Sequence, residues 1–237
     1  MQQMKLTKHI ILIAISILLL ASPVAAKKHK NNPLLKQKFT SVEQVINELE
    51  RCEYFSLFGV EGVWGYVSSN YILAGHLDKM ATTEQLDSLS LYGKTPVVKT
   101  TAFVVLVNGR HSISSEQVLS ILLKHLPDTT GFEYVIFDLM GRDNISSFIT
   151  ERAYSSGILS PVDSAYADSL IFYTDEYAHN PRFYTIMKNN IGNPEIYPRI
   201  RDLYVRIGDN DLLPFIACYQ KNEDIPLMIE ALGGFQG

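Results

Sequence analysis

The sequence predicts an all-α fold, a superhelix of stacked helix pairs, on three observations. Apolar residues return every thirty-four positions in helical spacing. Val98, Ala102 and Val105 stand at i, i+4 and i+7; the same step gives Phe132, Ile136 and Leu139, then Tyr166, Leu170 and Tyr173, then Ile200, Tyr204 and Ile207. Helix-start signals recur along the chain, and Pro161, Pro181, Pro194, Pro198, Pro214 and Pro226 fall at intervals suited to short helices with brief connections. Stretches on both sides of the centre are amphipathic. A period of this size is what stacked helix pairs produce, each unit burying its face against the next.

Residues 1–26 are expected to be an export signal. Lys5 and Lys8 precede an apolar run from Ile10 to Leu20 broken by Ser16, and mostly small residues follow to Ala26, where cleavage is expected. Residues 10–26 are uncharged and at the short limit for a membrane anchor, and the cluster Lys27, Lys28, His29 and Lys30 would suit an uncleaved one. No cysteine follows the run, which argues against a lipoprotein. The chain is therefore read as exported, to a periplasm or the extracellular space. Residues 27–39 form a basic, flexible tail, and residues 40–237 a helical repeat domain.

Within that domain Ser41, with Gln44 three positions on, opens an amphipathic stretch to Phe58. Thr83 caps a helix through Leu91, ended by Gly93, and Thr95-Pro96 starts another. Ser114 or Ser115 opens a helix carrying Val118, Ile121, Leu122 and His125, ended by Pro127-Asp128. Asn222-Glu223-Asp224 begins the last, with Ile225, Met228, Ile229 and Leu232 on one face. Cys52 falls in the stripe of the first helix, where a buried structural thiol is expected. Its distance in sequence from Cys218 fits neither a metal site nor a redox motif.

One stretch offers an alternative, a small α/β domain. Phe103 to Val107 followed by Asn108-Gly109 would serve as a strand entering a hairpin, and Phe132 to Met140 as a second buried strand. On that reading the protein is an exported hydrolase or ligand-binding domain.

From Glu84 to Asn108 the chain resembles HEAT-like repeats. A helix to Leu91 is followed by Thr95-Pro96-Val97-Val98-Lys99, then Ala102 and Leu106, similar to the second-helix signature of such units. Pro198-Arg199-Ile200-Arg201 repeats the proline and the basic residue, but Tyr204 stands where alanine is usual. In the intervening unit Glu133 replaces the basic residue. The resemblance implies a curved stack of helix pairs that holds protein partners without catalysis of its own.

Nothing in the sequence calls for a cofactor, and catalytic motifs are sparse. Glu176 and His179 have metal-ligand spacing, but in one copy; they are expected to be a surface pair, with Asp175 supporting a charged His179. His76 and Asp78 are two apart, on different helix faces. Nucleophile-elbow, zincin and phosphate-loop patterns are absent. The net charge of −4 argues against nucleic acid as the main partner, and membrane contact is expected solely through the leader or the basic tail. The chain has 13 tyrosines, more than repeat stripes need. Arg199 and Arg206 are seven apart on one helix face near Tyr197, which makes Tyr197, Arg199 and Arg206 the candidate partner-binding residues.

Overall fold

The computed structural model of the chain describes residues 32–56, 60–61, 66–136 and 139–233. The expected export signal and residues 27–31 of the basic tail lie outside them. The described residues are mostly helical, with eleven α-helices and short strands, in two compact units. The first runs to Ile113 and includes Thr130–Ile145; the second comprises Ser114–Thr129 and the residues from Ser146 onward.

In the first unit, α1 (Val42–Leu49) is capped by Ser41, whose hydroxyl accepts the Gln44 N–H. It stops well short of Phe58. Tyr54–Ser56 instead forms strand β1, because pairing with a distant strand outweighs local helix periodicity. Cys52 therefore sits just past the helix, half-buried, its thiol directed at the Glu48 carbonyl at 3.6 Å. Strands β2 (Val60–Glu61) and β3 (Tyr66–Val67) pair antiparallel, followed by α2 (Ser69–Met80), α3 (Thr83–Tyr92) and α4 (Pro96–Asn108).

The α3–α4 pair forms for reasons visible in its residues. Thr82, not Thr83, is the cap, closing a box with Gln85. Gly93 makes the turn: a Cβ there would lie 2.6 Å from the Leu89 carbonyl oxygen and 2.9 Å from Val98 Cγ1. Thr95 then accepts the Val98 N–H, and Pro96 occupies the first turn, where its missing N–H costs nothing. From Val97 to Leu106 every residue except Lys99 and Val104 is buried. That burial explains the run Phe103 to Val107: it is apolar because a helix surrounded by α1, α2, α3, β1 and the strand Gly131–Ile136 has almost no wet face.

The other strand-like stretch is a strand. β4 (Gly131–Ile136) and β5 (Leu139–Asn144) form an antiparallel hairpin in register from Gly131 opposite Asn144 to Ile136 opposite Leu139. β1 adds parallel to β4, giving the order β1-β4-β5. This corrects the all-helical expectation for Phe132, Ile136 and Leu139. Phe132 and Val135 point into the core, Phe55 meets Phe132 edge-on at 6.4 Å, and Leu139 is 70% exposed. The thirty-four-residue step is also not matched by a recurring buried face. On α7 (Pro161–Tyr173) the buried residues are Ala167, Ile171 and Phe172, while Tyr166 and Tyr173 are exposed.

The second unit consists of α5 (Ser115–His125), α6 (Ile145–Ser155), α7, α8 (Pro181–Asn189), α9 (Tyr197–Ile207), α10 (Leu213–Ala217) and α11 (Ile225–Gly233). Ser114 caps α5 and Ser160 caps α7. Between those two starts the Asp163 carboxylate accepts from the Ser115 and Ser160 hydroxyls, where two helix N-termini favour negative charge. Buried Asn180 donates to Ser146 Oγ at 3.0 Å and Thr150 Oγ1 at 2.9 Å. Phe172 stacks on Phe183 at 5.5 Å. On α11, Ile225 and Ile229 face outward, 50% and 64% exposed, rather than into a shared apolar face. Cys218, just past α10, is exposed.

Ala102 is fully buried on α4. An Ala102→Asp substitution would bury an unpaired carboxylate and is expected to destabilise the fold by roughly 3 kcal/mol or more. Thermal unfolding followed by circular dichroism checks it; a melting temperature within about a degree of the parent would contradict the packing of α4.

Candidate binding groove

The described part of the first unit contains an open groove of about 650 Å³ between α2 and α4. Its ends are formed by Leu35, from a 3-10 turn at Pro33–Lys36, by Phe55 and Ser56 of β1, and by Val67 of β3. The turn belongs to the stretch expected to be flexible, yet Asn32 anchors it. The Asn32 side chain donates to the Val67 carbonyl at 2.8 Å and to Ser69 Oγ at 3.1 Å, and accepts the Leu34 N–H.

Buried Asn70 fixes the groove's inner wall. Its Oδ1 accepts the Ser56 N–H and its Nδ2 donates to Thr101 Oγ1 at 2.8 Å, so one amide ties β1, α2 and α4 together. Gly75 lies on the α2 wall, and a Cβ there would meet nothing within 4 Å. Tyr71 is 54% exposed on the same helix.

Charge gathers at one end. The Arg110 side chain donates to the Asp78 carbonyl at 2.9 Å, and His111 Nε2 lies 3.4 Å from Asp78 Oδ1. That last contact permits charge pairing but is too poorly aligned for a hydrogen bond, and His111 Nε2 has no hydrogen-bond partner among the described residues. His76 rests against the Phe39 ring at 4.8 Å. His76 and Asp78, two apart and assigned to different helix faces, thus line the same groove. Spacing alone gave no signal of this, because the groove is wide enough to be reached from both faces.

Tyr197, Arg199 and Arg206 are all engaged within the second unit. Tyr197 is 8% exposed, and its hydroxyl donates to Asp224 at 2.8 Å, with Glu223 at 2.9 Å. Asp224, fully buried, also accepts from Arg201. Arg199 donates to the Phe172 carbonyl at 3.0 Å and to Asp175, and Arg206 donates to Asp175 and Asp202. Hydrogen bonds from Arg206 and then Arg199 hold the Asp175 carboxyl well below the usual range. Asp175 is thus engaged by two arginines, while His179 Nδ1 meets the Glu176 carbonyl at 2.7 Å. A similar cluster joins α6, α7 and α8: Arg182 forms a two-pronged pair with Asp168 and stacks over Tyr154 at 4.0 Å.

Among the described residues there is no group of three or more His, Cys, Asp or Glu placed to hold a metal ion, and no helix long and apolar enough to cross a membrane. No protein-family model matches the chain, and no curated protein matches it.

Burial, with a hydrogen bond to an acidic partner, raises the ionisation of Tyr154, Tyr184 and Tyr197 well above the ordinary value near 10. Each favours the neutral form in the folded state. Their contribution to stability is complete below about pH 10 and is lost as pH rises beyond it. Alkaline absorbance titration of the native protein is expected to leave these three of the 13 tyrosines protonated after the exposed ones ionise. Tyr197→Phe should remove one from the late group. Complete, reversible ionisation of all tyrosines near pH 10 would contradict the buried placements.

Proposed function

We propose that the chain is an exported, non-catalytic interaction protein that holds a protein partner in the groove between α2 and α4. The observation that carries the reading is the groove itself. It is open, mostly apolar, of a size suited to binding, and framed by two helices with settled backbones. Kinship with HEAT-like repeats is part of the proposal and rests on α3–α4, where the proline, the valine–lysine step and the buried alanine coincide with a helix pair. Export rests on the pattern of residues 1–26. The alternative of an α/β hydrolase loses one of its two strands, since Phe103 to Val107 is helical.

Gly75→Gln tests the reading with little risk to the fold. Glutamine is the better helix former, and its side chain enters open space. Immobilised protein is expected to retain a discrete set of proteins from an extracytoplasmic extract. The variant, with an unchanged circular dichroism spectrum, should lose that set. Identical retention by both would overturn the groove as the binding site.

A further inference from the structure

The trough between α2 and α4 has the features of a helix–helix interface with one helix missing. Along α2 the lining is broad, from Asn70 to Lys79, and its small residues Ala74 and Gly75 sit midway. Along α4 it is lined by Thr101, Val104, Val105 and Asn108, which stand at i, i+3, i+4 and i+7. A helix face with this spacing beside a second helix presents ridges and grooves into which a third helix interleaves. Among the described residues, α4 lacks a covering neighbour at half-buried Val104 and exposed Asn108.

An extended peptide fits less well. Strand addition needs a row of available backbone donors and acceptors. Here the long walls are helices that satisfy their own backbones, and on the bordering strand the Ser56 N–H is already bonded to Asn70. The small side chains at Ala74 and Gly75 allow the closer end of the 8–10 Å spacing between packed helices. From Asn70 to Lys79 the α2 wall runs roughly 14 Å at 1.5 Å per residue, room for two to three turns.

The rim selects charge. Lys36 follows Leu35, Lys79 lines the groove and Arg110 follows Gly109, and all three are exposed. The carboxylate among the lining residues, Asp78, is engaged by Arg110 and His111. With Arg110 taken up by Asp78, Lys36 and Lys79 are, among the described residues, the exposed cations left at the groove's border, on a chain of net charge −4. We infer that the occupant is an amphipathic α-helix of a partner protein, about three turns long, with an apolar face and acidic flanks. The inference rests on the interaction reading above and names the partner that reading leaves open.

The test uses a fluorescein-labelled synthetic peptide with leucines at i, i+3, i+4 and i+7 between paired glutamates. One control replaces the glutamates with lysines; another places a proline at the centre, which breaks the helix. The acidic peptide should bind the purified protein saturably, at least ten times more tightly than either control. Gly75→Gln should weaken it at least tenfold. Reversing Lys36 and Lys79 to glutamate should weaken it several-fold at low salt, and less at high salt. Equal binding by the proline peptide would overturn the helix, and equal binding by the lysine peptide would overturn the acidic flanks. If no peptide binds while Gly75→Gln still abolishes retention of extract proteins, the helix inference falls and the interaction reading stands. If retention is also indifferent to Gly75, both fall.

Discussion

The burial of α4 on nearly every side is the constraint on which the first unit depends. A helix can be apolar all round if neighbours cover it, and α4 is covered by α1, α2, α3, β1 and β4. This requirement explains the tight Gly93 turn that folds α3 back on α4. It also explains the Asn70 amide that holds β1 and α2 against Thr101, and the pairing of β1 with β4 from far along the chain. Among the described residues, the coat is open at Val104 and Asn108. The groove lies at that gap, so the same packing that stabilises the unit also shapes the groove.

The second unit adds polar ties to its apolar core. Ile121, Ile171, Phe172, Phe183, Ile200 and Leu203 are buried there. Tyr154, Asp168 and Arg182 connect three helices, Asp175 draws Arg199 and Arg206 together, and Asp224 takes both Tyr197 and Arg201. The tyrosines that exceeded the needs of repeat stripes are consumed in part by these clusters. Tyr197, Arg199 and Arg206 are held there by intramolecular hydrogen bonds.

How much was legible follows from which forces were local. The caps at Ser41, Thr95 and Ser114, the proline starts of α4, α7 and α8, and the amphipathic face of α5 depend on neighbours in sequence, and they were readable from it. The hairpin at Gly131–Asn144 is only partly visible in the sequence, because its strand pairing reaches β1, some eighty residues earlier. The step of thirty-four also misled at α7, where the buried face turned out one residue round, at Ala167 and Ile171. The groove was not legible at all. It arises where Leu35, Phe55, Gly75 and Val104 converge, and no spacing along the chain encodes that meeting.

Native-state thiol labelling tests the partial coat of α4 most directly. In a background of Cys52→Ser and Cys218→Ser, single cysteines are placed at Gly75 and Val104 on the groove and at Val98 and Leu106 on the covered faces. The account predicts rapid modification at positions 75 and 104, and protection at 98 and 106 until the protein unfolds. Protection at 104 equal to that at 98 would mean the groove is already filled. Fast modification at all four would mean α4 is not the covered helix on which the rest depends.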